Sequence, residues 1–252
     1  ELRFDAPILF RGQATQFWRI PSDTIFRAIA YAVISLYGSE ALETLIKEPK
    51  TRVSSLILLK NGEPYIPNCQ AFAYVSIDGE DEVDASDITA TNFMLRLPRV
   101  EGFDATPYEY NMLNAHLHRW LLLGVCSEEN IDMIKPSIRL LGELGLGAKR
   151  SRGFGRFRII RMTTPERFGL KISNSGLLAS RYLPKGEIEG IEGEDILYDS
   201  FTVDFGGEKL SLRVIGEGSR IKRADVGRVE YATDTLGRSV PILLRPLFIS
   251  LT

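Results

Sequence analysis

The chain has 252 residues, 44% hydrophobic and 25% charged, with 31 Lys and Arg against 33 Asp and Glu for a formal net charge of -2. That length and balance support a packed core without staples, which excludes disordered, collagenous and disulfide-scaffold classes for the chain as a whole. No apolar run is long enough to span a membrane, the opening Glu1-Leu2-Arg3-Phe4-Asp5 has no leader pattern, and Cys69 and Cys126 form no metal-type pair; a cytoplasmic protein with two buried thiols is expected.

Leu2 to Phe10 alternates loosely and reads as a first strand, broken by Arg11-Gly12-Gln13. Pro21-Ser22-Asp23-Thr24 is a helix start, because hydroxyl and carboxylate side chains accept the orphan amides of a first turn. Ile25, Ala28, Ile29, Ala32, Val33 and Leu36 follow at helical spacing up to Gly38. Val53 to Leu59 is rich in β-formers, Asn61-Gly62 is a hairpin turn, and Phe72 to Ile77 is a further strand. The acidic run from Asp78 to Asp87 reads as a solvated loop. Thr91 to Leu97 alternates and stops at Pro98, and residues 99 to 114 read as irregular. Leu117 to Val125 is ambiguous between strand and helix.

Ile131, Ile134, Ile138, Leu141 and Leu144 again have helical spacing, with Pro136 among them. Proline is tolerated in a first turn, so the helix is expected from about 136. A strand from Phe154 to Met162 follows a glycine-rich connection. A second unit opens near Thr164, with strands over 201–205, 209–215, 227–232 and 240–251 and a second acidic run over 187–199. Helices and strands in this mixture predict an α+β fold whose two halves are split β-α-β units.

Charge is unevenly placed. Lys149, Arg150, Arg152, Arg156, Arg158 and Arg161 share a window with no acid, which fits a local anion site. The same region holds five glycines, Gly142, Gly145, Gly147, Gly153 and Gly155, in 14 residues. Glycine permits positive φ and close approach of the backbone to a ligand. The spacing fails both the Walker pattern and the dinucleotide fingerprint, and a helix precedes the glycines where both motifs need a strand. A tight helix-to-strand turn with solvated arginines accounts for part of this. If the following strand is regular, Phe154, Arg156 and Arg158 share a face, which is the arrangement single-stranded RNA binding uses.

Gly145, Gly147, Lys149, Arg150, Ser151, Gly153, Phe154 and Gly155, at this spacing, resemble the glycine-rich loop of the RAMP superfamily, the repeat-associated RNA-binding proteins of CRISPR–Cas systems. The segment from Ile20 to Ile29, Leu177 to Pro184, and Arg213 to Leu251 with its Glu217-Gly218-Ser219 turn are similar to the subunit that caps the Csm effector complex of type III systems. The resemblance implies two ferredoxin-like (RRM-like) domains, 1–163 with the loop and 164–252, and no catalysis, cofactor or metal. It implies that CRISPR RNA is bound by its 5′ tag, through Ser22, Asp23, Thr24, Gly145, Gly147, Lys149, Arg150, Ser151, Arg152, Gly153, Phe154, Gly155, Arg156 and Arg158, with Glu217, Gly218 and Ser219 as a second-domain loop. It implies docking on a large polymerase-like subunit and a backbone RAMP subunit, with no membrane partner. The chain departs from the family at Ala148, where many relatives have glycine, and over 99 to 113, where the family places a thumb-like hairpin.

The alternative within the superfamily is a metal-independent endoribonuclease that processes repeat RNA. Such cleavage needs an acid–base pair, most often His, and this chain has only His116 and His118, in an apolar run with Leu117, Trp120 and Leu121. They read as half-buried structural residues. The remaining reading is an anion-binding or purely structural α+β protein.

Overall fold

The computed structural model describes residues 1–10, 17–96, 106–206 and 209–252. Four α-helices lie in the first half: α1 (Ser22–Tyr37), α2 (Ser39–Lys47), α3 (Ala85–Ile88) and α4 (Glu128–Leu144). They accompany a seven-stranded antiparallel sheet whose spatial order is Phe157–Ile159, Leu2–Phe4, Arg119–Leu121, Ile57–Lys60, Glu63–Asn68, Ala73–Ser76 and Glu82–Asp84. Two strand–helix–strand units interleave in it. Leu2–Phe4, α1 and Ile57–Lys60 form one; Arg119–Leu121, α4 and Phe157–Ile159 form the other, and each unit's strands are separated by a strand of its partner unit.

The period of two along a strand divides the sheet into two faces. Leu2, Phe4, Leu58, Trp120 and Phe157 bury against Ile25, Ile29 and Val33 of α1 and Leu141 of α4. Ile57, Leu59 and Leu121 point the other way. They join Leu170, Leu177, Ala179, Leu247 and Ile249 from the second half in a separate apolar cluster. A five-stranded sheet carries those second-half residues, in the order Leu170–Ser173, Phe248–Leu251, Gly176–Leu178, Arg220–Ile221 and Gly193–Asp195. Two hairpins, Tyr198–Val203 with Leu210–Ile215 and Arg228–Thr233 with Ser239–Leu244, complete this half.

Several elements differ from the sequence reading. The first strand breaks in a bend at Asp5 and Ala6, just ahead of Pro7, which has no N–H to offer a ladder. Ile8–Phe10 then joins a separate three-stranded sheet with Thr106–Leu113 and Thr89–Arg96. Residues 106 to 113, expected to be irregular, thus form a long hairpin with 89 to 96. Among the described residues Ile8–Phe10 pairs with 111 to 113, beyond Pro107, which pairs with Leu95 on its other side. The Arg11–Gln13 break and residues 99 to 105 lie outside the described residues.

Helix α4 starts at Glu128, a full two turns before the position expected from Pro136. The proline cannot donate to the carbonyl of Asp132. That carbonyl accepts the Tyr37 hydroxyl at 3.5 Å, and the next one, of Met133, accepts the Ser137 hydroxyl at 2.8 Å. Among the described residues the second half contains strands and 3-10 turns but no α-helix, so the expected helix in each half is met only in the first. Apolar residues there recur at strand spacing, and no segment of it carries a helical stripe.

Candidate nucleic-acid interface

The glycine-rich connection leaves α4 at Gly145, whose N–H donates to Leu141 at 2.8 Å. It then doubles back on itself. Leu146 N–H donates to Gly155 O at 2.9 Å, Gly155 N–H to Pro7 O at 3.0 Å, and Ala148 N–H to Leu9 O at 2.7 Å. Between these anchors Arg150–Arg152 form a 3-10 turn, entered through Lys149 at φ 56° and left through Gly153 at φ 87°. Gly147 and Gly155 also have positive φ, at 84° and 69°, so the conformational expectation for all three glycines holds. The close approach is to the protein's own backbone. A Cβ at Gly155 would sit 1.8 Å from Leu146 O, and one at Gly147 would sit 2.5 Å from Leu9 O.

This backbone forms one wall of an open groove of about 1200 Å³. Lys149, Arg150, Ser151, Arg152 and Arg156 line it, facing Arg27 and Tyr31 of α1 and Phe205 from the second half. Among the described residues that line it, five are cationic, of which Arg27 already pairs with Asp23, and one is acidic, Glu143. Lys149 Nζ lies 5.6 Å from the Tyr110 ring, Arg150 is 6.0 Å from Tyr31, and Arg27 is 5.3 Å from Phe205. Arg152 and Arg156 are exposed and make no ion pair among the described residues. Tyr31 is 56% exposed, so its ring face is open to a ligand. The groove therefore combines exposed cations, Arg152 and Arg156, with accessible aromatic faces, the pairing that holds a phosphate backbone and stacks a base.

Arg27, Tyr31 and Phe205 were not singled out from the sequence. Tyr31 carried a signal, since it lies outside the buried stripe of α1. Phe205 carried none, because its place depends on how the halves meet. Phe154 is half-buried and does not line the groove, and the strand after the loop starts at Phe157, later than expected. The positive φ of Gly155 and its bond to Pro7 keep 154 and 155 out of the ladder, while Arg156 O accepts the Asp5 N–H at 2.9 Å just before the strand begins. Arg158 lies on that strand and pairs with Asp5 at 2.6 Å.

Ser22, Asp23, Glu217 and Ser219 occupy a different place: each is at most 2% exposed, between the halves. The residue preceding α1 is Pro21, which has no capping side chain, and the Ser22 N–H is met by Ser55 from another segment, which corrects the expected capping role of Ser22, Asp23 and Thr24. Asp23 instead receives Arg181 at 2.8 Å and Arg27 at 3.1 Å. Arg181 also reaches Asp199 at 2.8 Å, Arg19 reaches Asp199 at 2.6 Å, and Glu217 binds Arg19 and the Ser55 hydroxyl. Ser22 accepts the backbone N–H of Arg181 at 2.9 Å and donates its own N–H to Ser55 at 2.9 Å. Thr24 accepts from Arg27 at 2.9 Å, and the Ser219 hydroxyl accepts Leu197 N–H at 2.9 Å beside half-exposed Gly218. Burial disfavours the charged form of Asp23, but Arg181 and Arg27 outweigh it and hold the carboxyl below its ordinary range. The three carboxylates and three arginines balance formally.

The thiols are half-buried and unpaired, and burial, followed by nearby Glu217, pushes Cys69 up to about 12. His116 and Leu117 lie in a 3-10 turn, outside the groove, and burial lowers the pKa of His118. Among the described residues no helix is long and apolar enough to cross a membrane.

No family model matches the chain, and no curated protein does. Solved structures do. One is a chain of the crystal structure of the Csm3-Csm4 subcomplex in the type III-A CRISPR-Cas interference complex, at 17% identity over 98% of this chain and 96% of that one, with a TM-score of 0.65. Another is a chain of the crystal structure of the Csm1-Csm4 cassette in complex with cA4, at 19% identity over 100% of this chain and 97% of that one, with a TM-score of 0.58. At such identity the likeness is one of fold, and it runs from end to end.

Proposed function

We propose that this chain is a non-catalytic RNA-binding subunit of a type III CRISPR effector complex, which holds the 5′ tag of CRISPR RNA in the glycine-rich groove and caps the assembly. The observation that carries this reading is the groove itself: Lys149, Arg150, Arg152 and Arg156 on a backbone pinned by its own hydrogen bonds, opposite the exposed ring of Tyr31. Single-stranded RNA recognition needs phosphate neutralisation and a stacking surface, and both are present within one short cleft. The fold supports the assignment, because Csm4 is the component that the two similar structures have in common. On this reading a large polymerase-like subunit and a backbone RAMP subunit are the protein partners. The halves 1–163 and 164–252 are read as two ferredoxin-like domains, the second without the helices of the first.

A short cleft suits a tag better than a whole guide, since tracking a long strand takes cations along its full length. RNA pulled down with the intact complex should carry one shared 5′ sequence, crosslinked to this chain only through that end. Crosslinks scattered along the guide would assign a backbone subunit instead. The chain alone should leave repeat RNA intact. Metal-independent cleavage lost in His116→Ala or His118→Ala would replace this reading with the endoribonuclease.

A further inference from the structure

We propose a second anion site on the open face of the seven-stranded sheet, in which Arg3 and Arg119 bind consecutive backbone phosphates of the RNA strand leaving the groove; the RNA identity of the ligand rests on the function proposed above. The strand register places Arg158 opposite Arg3 and Arg3 opposite Arg119. Residues directly opposite have Cβ atoms about 4.5–5.5 Å apart, and like charges there are destabilising. Three arginines therefore form a row on the face away from Leu2, Trp120 and Phe157, against the local rule for sheets.

Asp5 neutralises one end of the row, through Arg158. Among the described residues Arg3 and Arg119 have no ion-pair partner, and Arg119 Nη1 is buried without a hydrogen bond. Both line a depression of about 510 Å³ with His116, His118 and Lys60, the last paired with Asp81. Positions that break a local rule without internal compensation are where a ligand is expected. The missing compensation here is negative charge.

Continuity with the groove selects nucleic acid over an acidic protein segment. Arg156 lines the groove, and Arg158, two residues along, enters the row. Arg156 directly precedes the edge strand Phe157–Ile159 that carries Arg158, so the cations step from one site to the other around the sheet edge. Leu117, 65% exposed beside His118, gives a base or ribose an apolar surface at the far end. The rest of this face is covered by the second half, so the row is its accessible end.

The test uses the full chain with fluorescein-labelled single-stranded RNAs of eight and twenty nucleotides. Each phosphate contact contributes about 0.7 to the log–log salt slope, so R3A/R119A should flatten the slope on the longer RNA by about 1.4 and leave the shorter one unchanged. R3K/R119K should restore most of the slope, because it keeps both charges. An unchanged slope in R3A/R119A on the longer RNA overturns the site, while a loss confined to K149A/R150A/R152A leaves the groove assignment standing. Polyglutamate that displaces the longer RNA only when Arg3 and Arg119 are present makes the ligand an acidic segment and also overturns it. A wild-type chain that binds neither RNA removes both readings.

Discussion

Between the halves, Arg19 and Arg181 are almost inaccessible and are met by Asp23, Asp199 and Glu217; at the glycine-rich loop, Arg150, Arg152 and Arg156 stand in solvent, and among the described residues Glu143 is the one acid in their groove. The same side chain serves opposite ends. A buried arginine with matched carboxylates fixes how two surfaces meet, because any misregister strands a charge in low dielectric. An exposed arginine without a carboxylate adds little to the fold and leaves its charge to a ligand. Ser22-Asp23-Thr24 and Glu217-Gly218-Ser219, read together with the loop as RNA contacts, fall largely on the first side of this division.

The largest expected effect breaks the buried side. Arg181→Ala leaves Asp23 with Arg27 and Asp199 with Arg19, and removal of one partner from such a buried network costs about 3–5 kcal/mol. Urea unfolding measures it. An effect below about 1 kcal/mol would mean that water reaches the network. Acid should act on the same place. The Asp23 carboxyl is held below its unfolded value, so its contribution is complete above the ordinary carboxylate range and is lost as pH falls through the native value. Asp23→Asn should remove that part of the acid dependence, and an unchanged pH profile would exclude Asp23 as its source.

The next comparison lies within the loop. Gly153 and Gly155 both have positive φ, so alanine is strained at either. Only at Gly155 would the new Cβ strike backbone, 1.8 Å from Leu146 O; at Gly153 the space is open. Gly153→Ala should cost about 1–2 kcal/mol, the price of αL conformation alone. Gly155→Ala should cost more and distort the groove, and equal losses by thermal unfolding would contradict the close approach seen here. On the exposed side, K149A/R150A/R152A should keep its unfolding midpoint while the salt slope of RNA binding falls by up to about 2. An unchanged slope in the folded variant removes these residues from the interface.

What the sequence made legible follows from how local each signal is. The α1 stripe, the Asn61-Gly62 turn and the positive φ of Gly147, Gly153 and Gly155 depend on neighbours in the chain, and the structure has them. Helix α4 starts two turns before the position read from Pro136, which stands in the helix interior with the freed Asp132 carbonyl facing the Tyr37 hydroxyl at 3.5 Å, a neighbour that no local pattern announces. The fate of Asp23 was legible only in part. Its place in the first turn of a helix was read, but its main partner, Arg181, is 158 residues away. Arg27 and Tyr31 lie one helical turn apart on α1, and only the return of the loop past them turns that face into a groove wall.

Tyr31 gives the smallest expected effect and separates two accounts of the groove. If the site is a field of positive charge alone, the ring is dispensable. If a base stacks on it, the ring contributes in its own right. Stacking on an aromatic side chain is worth about 1–3 kcal/mol per base, and an exposed ring beside Arg150, at 6.0 Å, belongs at the low end of that range. Tyr31→Ala should therefore weaken RNA binding by about fivefold, equivalent to about 1 kcal/mol. Tyr31→Phe should retain wild-type affinity, since the face and not the hydroxyl is used. The salt slope should stay the same in both, because no phosphate contact is lost. A slope that falls in Tyr31→Ala would mean that the ring acts by positioning Arg150 over a phosphate, and the stacking account would give way to a purely electrostatic one.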